Sequence, residues 1–184
     1  MRCGTTDGGK GMSIRPRVAA EIFTRDRWAC HWCTYPVVFA PALKYLQEDV
    51  RRRGGNVPLA YYDFNFARLY APLLNDLAAI IDHVQAGSKG GPTDLSNLIT
   101  ACNRCNMLKR GLDEAAWRKL IEEYRELRSL QNRTAEMPTE WDGFSTMFLL
   151  ALKDDRSAAS SSELEWFEAL SRLSPLSRPG APGV

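Results

Sequence analysis

Residues 79–109 read AIIDHVQAGSKGGPTDLSNLITACNRCNMLK, and the order of patterns within them decides the fold. Ala79–Val84 is a short β-branched run that predicts a strand, and Asn97–Thr100 predicts a second one. Between them Gly87–Gly91 is a glycine-rich loop. Cys102–Lys109 begins a helix directly after the second strand. Strand, loop, strand and helix in one short stretch make a ββα unit.

The chain holds five cysteines and two histidines. Four cysteines fall into two identical spacings, Cys30-x-x-Cys33 and Cys102-x-x-Cys105, while Cys3 stands apart. Two such turns supply the four thiolates of a tetrahedral zinc site. The competing reading is one redox Cys-x-x-Cys with two unrelated buried cysteines. His31 lies inside the first turn, and His83 follows Asp82 at the end of the first strand of the ββα unit. Neighbouring strand residues point to opposite faces, but at a strand end both can approach one pocket. A carboxylate for a hard cation and an imidazole that titrates near neutrality are what metal-assisted phosphodiester hydrolysis needs. In isolation, His83 would read as a packed core histidine.

Outward from this unit the chain is helical. Residues 14–29 predict a short helix or strand feeding the first cysteine turn, with Val18, Ile22 and Phe23 as core candidates. Leu43, Leu46 and Val50 predict a helix over Pro41–Arg53, ended by Gly54-Gly55. Residues 56–75 are aromatic and irregular. Asp113 is a candidate N-cap for a helix to Leu130, with Trp117, Ile121, Tyr124 and Leu127 on one face. Ser162-x-x-Glu165 reads as a capping box for a helix over Leu164–Leu173.

Net charge is only +2, but residues 1–133 carry +6 and residues 134–184 carry −4, so the basic excess sits with the chemistry. The longest apolar run, Met147–Leu152, has six residues, far short of a membrane span. The N-terminus lacks an apolar leader core. We expect a cytoplasmic protein with no membrane partner.

Asp82-His83-Val84, Gly90-Gly91, Asn97-Leu98, Cys102-x-x-Cys105-Asn106 and Lys109, in that order, resemble the HNH endonuclease motif. Arg25-Asp26-Arg27-Trp28 before Cys30-x-x-Cys33 is similar to the zinc-bearing branch of that family. The resemblance covers residues 23–33 and 80–111. It implies an α+β fold with a ββα-metal core, and a nuclease that hydrolyses DNA, double-stranded by expectation. It implies His83 as general base, Asp82 and Asn106 as ligands of a catalytic Mg²⁺ or Mn²⁺, and Asn97 as a brace that orients the histidine. Structural Zn²⁺ would be held by Cys30, Cys33, Cys102 and Cys105. From spacing, Lys109 and Arg110 are candidate phosphate contacts. Lys89 in the glycine loop joins them as a candidate.

The chain departs from the family pattern between the zinc turns, where 68 residues separate Cys33 from Cys102. The expected organisation is a tail over 1–13 and a nuclease domain over 14–133 with an insertion at about 34–79. A helical extension over 134–175 and a second tail over 176–184 follow. The insertion could read substrate, mediate oligomerisation or only decorate the fold. Arg51, Arg52 and Arg53 at its tip read equally as phosphate contacts or as a solvated helix end. Two rival functions stay open: a zinc-stabilised DNA-binding module without cleavage, and a structural or protein-interaction zinc domain.

Overall fold

A computed structural model describes residues 14–55, 72–110, 112–130, 140–157 and 159–174. The expectations placed on the two tails, on residues 56–71 and on Gly111 lie outside the described residues. The fold is α+β: a two-stranded sheet surrounded by helices. In chain order the elements are α1 (Pro16–Arg25), α2 (Ala40–Arg52), α3 (Pro72–Asp76), β1 (Ala79–His83), β2 (Leu98–Cys102), α4 (Asn103–Lys109), α5 (Glu114–Leu130), α6 (Ser145–Asp154) and α7 (Ser161–Ser171). A single 3-10 turn, Gly87–Lys89, sits in the loop between the strands.

The two strands pair antiparallel with Asp82 opposite Ile99 and His83 opposite Leu98. Every residue of β2 is buried, since α1 and α4 pack against the sheet. The glycine loop has a steric reason. A Cβ on Gly91 would lie 1.9 Å from the Gln85 carbonyl oxygen and 2.9 Å from the Asn97 amide nitrogen, so only glycine fits.

Within residues 14–29, Pro16–Arg25 form the helix α1, which buries Ala19, Ala20, Ile22 and Phe23 and leaves Val18 half-buried. Phe23 meets Trp28 at 5.1 Å between ring centroids, and Phe39 meets Phe148 at 5.3 Å and Trp166 at 4.9 Å. These aromatic contacts join α1, α6 and α7 to the first cysteine turn in one core. The C-terminal helices are therefore built into the main core, where the sequence suggested an extension.

Three local readings need correction. In α2 the buried face is Ala42 and Tyr45, and Val50 is 41% exposed. Tyr45 decides the rotation, because its ring packs on Phe148 at 5.9 Å and its hydroxyl donates to the Asp155 carbonyl at 2.8 Å. In α7 the capping box is Ser160 with Glu163, two residues before the expected pair. The repeated serines and glutamates satisfy the pattern at both places. Finally, α6 was not foreseen as an element; it buries Phe148, Leu149 and Leu152. The N-cap at Asp113 stands as read, its Oδ1 accepting from the Ala116 N–H at 2.8 Å. Trp117 and Ile121 are buried below it, as expected. Among the described residues no helix is long and apolar enough to cross a membrane.

Candidate active site

The four cysteines converge. Cys30, Cys33, Cys102 and Cys105 are buried, free of disulfides, and their sulfurs all lie within 4.8 Å of one another. The Cys33–Cys102 sulfur separation is 3.8 Å. A tetrahedron with metal–sulfur bonds of about 2.3 Å has edges of about 3.8 Å, so the spacing suits zinc. Hydrogen bonds from Cys102, Cys105 and Cys33 hold the Cys30 thiol far below its usual pKa. The same network, led by Cys102, pushes Cys105 far above it, because a further thiolate would face the first. Four such sulfurs ionise together only around a cation.

The two cysteine turns are tied to each other through β2. The His31 N–H donates to the Thr100 carbonyl at 2.8 Å, and the Thr100 N–H donates to Asp26 Oδ2 at 2.7 Å. Burial opposes ionisation of Asp26, but hydrogen bonds from Arg25 and the Thr100 N–H hold its pKa below the usual value. Arg25 also donates to the carbonyls of Leu95 and Leu98. Arg25 and Asp26 thus bind the segment before the first turn to the second strand. The sequence carried them only as part of a resemblance.

At the end of β1 the strand alternation holds. Asp82 turns inward and His83 remains half-buried at the edge. Asp82 Oδ2 accepts from the Trp32 indole N–H at 2.9 Å and from the Lys109 ammonium at 3.0 Å, and Oδ1 accepts from the His83 N–H at 2.8 Å. The His83 Nε2 lies 3.3 Å from the Thr93 hydroxyl. Asn97 closes the loop between the strands. Its Oδ1 accepts from the Gln85 N–H at 2.8 Å, and its Nδ2 donates to the carbonyls of Gln85 at 3.0 Å and Pro92 at 2.8 Å.

Asn106 is half-buried, directly after Cys105 and one turn before Lys109 on α4. Residues three apart share a helix face, so Asn106 lies on the side of α4 that reaches Asp82 through Lys109. A carboxylate and a side-chain amide are hard oxygen donors, a set that suits Mg²⁺ or Mn²⁺ better than a soft metal.

Lys109 differs from expectation. It is 2% exposed, paired with Asp82, and donates to the His83 carbonyl. Its charge is spent inside the site, so it does not face solvent as a phosphate contact would. Arg110 is exposed, with its Nε on the Met107 carbonyl at 3.1 Å, and Lys89 is exposed in the loop. Arg51, Arg52 and Arg53 pair with Glu48 and Asp49 of their own helix. Trp32 was missed. The available signal was a tryptophan inside Cys-x-x-Cys, whose buried N–H needs an acceptor.

Asp82 is buried and His83 half-buried at the end of β1. The 680 Å³ cleft beside Trp28 and Trp141 and the 390 Å³ cleft beside Trp117 and Tyr124 both lie elsewhere. No curated protein and no solved structure matches the chain. Residues 73–110, which span both strands, the glycine loop and α4, match the family model described as HNH endonuclease.

Proposed function

We propose that this protein is a metal-dependent endonuclease that hydrolyses DNA phosphodiester bonds. The observation that carries the reading is Asp82-His83 ending a strand of the HNH-matched segment, beside a helix that presents Asn106 and is anchored by two cysteines of the cluster. His83 takes the proton from the attacking water, with its ring steadied by the Thr93 hydroxyl. Asn97 holds the loop that follows the histidine, which limits how far the ring can drift. Asp82 and Asn106 would hold Mg²⁺ or Mn²⁺, which when bound stabilises negative charge on phosphate and leaving oxygen. Zinc on the four cysteines has no open position and serves as support. A double-stranded substrate would meet the half-buried His83 edge, with the exposed Lys89 and Arg110 as phosphate contacts.

A second reading is a zinc-stabilised DNA-binding module without cleavage. The engagement of Asp82 Oδ2 by both Trp32 and Lys109 favours it. Purified, zinc-loaded protein incubated with supercoiled plasmid decides between the two. Nicking that needs Mg²⁺ or Mn²⁺ and disappears in His83→Ala supports the nuclease. DNA retention with no nicking at any metal concentration overturns it.

A further inference from the structure

Asp82 is already matched to a cation of the protein's own. The Lys109 ammonium sits 3.0 Å from Asp82 Oδ2, donates to the His83 carbonyl and lies 4.8 Å over the Trp32 ring. Burying an ammonium is unfavourable unless it is paired and hydrogen-bonded, and all of these partners cluster at the strand end. That is the place where the catalytic cation has to bind. A divalent cation on Asp82 would face this buried ammonium, held 3.0 Å from Oδ2, at a range where like charges repel. One carboxylate cannot neutralise both. Among the described residues Lys109 ion-pairs with Asp82 alone, and DNA phosphate would bring the further negative charge a bound cation needs.

We propose that Lys109 holds the divalent cation's place on Asp82 while no DNA is bound, so that metal loading is coupled to DNA binding. The inference rests on the endonuclease reading. It gives Lys109 a role distinct from a prop for Asp82. A prop, when removed, leaves a misplaced ligand and weaker metal binding; a placeholder, when removed, leaves a vacant carboxylate and tighter binding. Linkage is reciprocal, so duplex DNA must strengthen metal binding by the factor with which metal strengthens DNA binding.

The test measures Mn²⁺ affinity of the full-length, zinc-loaded protein by the paramagnetic resonance of free Mn²⁺. Without DNA, Lys109→Met is expected to bind Mn²⁺ about tenfold more tightly than wild type, within the usual span of such couplings. Lys109→Arg keeps the charge and stays as weak as wild type. A duplex oligonucleotide, kept intact by a His83→Ala background, tightens Mn²⁺ binding when Lys109 is present and does little for Lys109→Met. Equal or weaker Mn²⁺ binding by a folded Lys109→Met protein with full zinc content overturns the proposal. If that variant does not fold, the His83→Ala protein with Lys109 intact decides. Unchanged Mn²⁺ affinity with and without duplex sinks the idea, and a rise of about tenfold supports it. Plasmid nicking by wild type separates the two levels. Nicking without the Mn²⁺ effects defeats only the placeholder role; bound Mn²⁺ without any nicking defeats the endonuclease reading.

Discussion

Removing one sulfur of the cysteine cluster should cost a large share of the protein's stability. In Cys102→Ser the tetrahedral set is broken at the residue that also caps α4, where the Cys102 sulfur accepts from the Cys105 N–H at 3.4 Å. A metal bridge from Cys33 to Cys102 closes a loop with 68 intervening residues. Treated as a cross-link, closing a loop of that length removes chain entropy worth about 4 kcal/mol from the unfolded state. Native domains are stable by only about 5–15 kcal/mol. For a chain of this size, 4 kcal/mol corresponds to a fall in Tm of about 10 °C. The assay is a thermal melt by circular dichroism on wild type, Cys102→Ser and chelator-treated wild type, with zinc counted by elemental analysis. Wild type should hold one zinc per chain, and both perturbations should lower Tm together. Acidification should do the same, because zinc binds thiolates and protons compete for them. A zinc-free wild type of full stability would refute the reasoning, as would a Cys102→Ser protein melting with wild type.

Other expectations concern the active site and the surface. His83→Ala should lose cleavage rate on the order of 10²–10⁴ with DNA affinity retained, since a general base acts in the transition state. Asp82→Ala and Asn106→Ala should instead recover activity as Mg²⁺ or Mn²⁺ is raised; rescue of His83→Ala by excess metal would make the histidine a ligand. Converting Arg51, Arg52 and Arg53 to Ala should weaken DNA binding and flatten its salt dependence if the helix tip touches phosphate. An unchanged slope would leave them as partners of Glu48 and Asp49 alone. Gly91→Ala should destabilise the loop by about 1–3 kcal/mol, the usual range for forced overpacking, and a melt indistinguishable from wild type would contradict the close approach to Gln85.

The ββα unit was legible because its signals are local. A β-branched run, a Gly-Gly turn and a cysteine spacing each act over a few residues, and their order leaves one topology. The α5 cap was legible for the same reason. The rotation of α2 was not, because Leu43, Leu46 and Val50 and the pair Ala42 and Tyr45 both have helical spacing. The partner that decides between them, Phe148, lies about a hundred residues away in sequence. α6 escaped because its cap is displaced. Phe144 occupies the N-cap in a left-handed conformation, while Asp142 receives the Thr146 N–H at 2.7 Å and the Ser145 hydroxyl at 3.2 Å. Lys109 escaped because a lysine stem can lay its charge inward or outward from one helical position. Spacing from Asn106 fixes the face and leaves the direction open.

Two routes connect the cysteine cluster to the Asp82 carboxylate, and they start from different cysteine turns. One runs through Trp32, inside the first turn, whose N–H reaches Asp82 directly. The other runs through α4, which begins at Cys102, carries Cys105 and Asn106, and ends at Lys109 on the same Asp82 oxygen. Neither turn alone fixes both donors to that oxygen. A cation closing the cluster would therefore bring both donors to Asp82 together. This would give two cysteine turns so distant in sequence a shared part in placing one carboxylate.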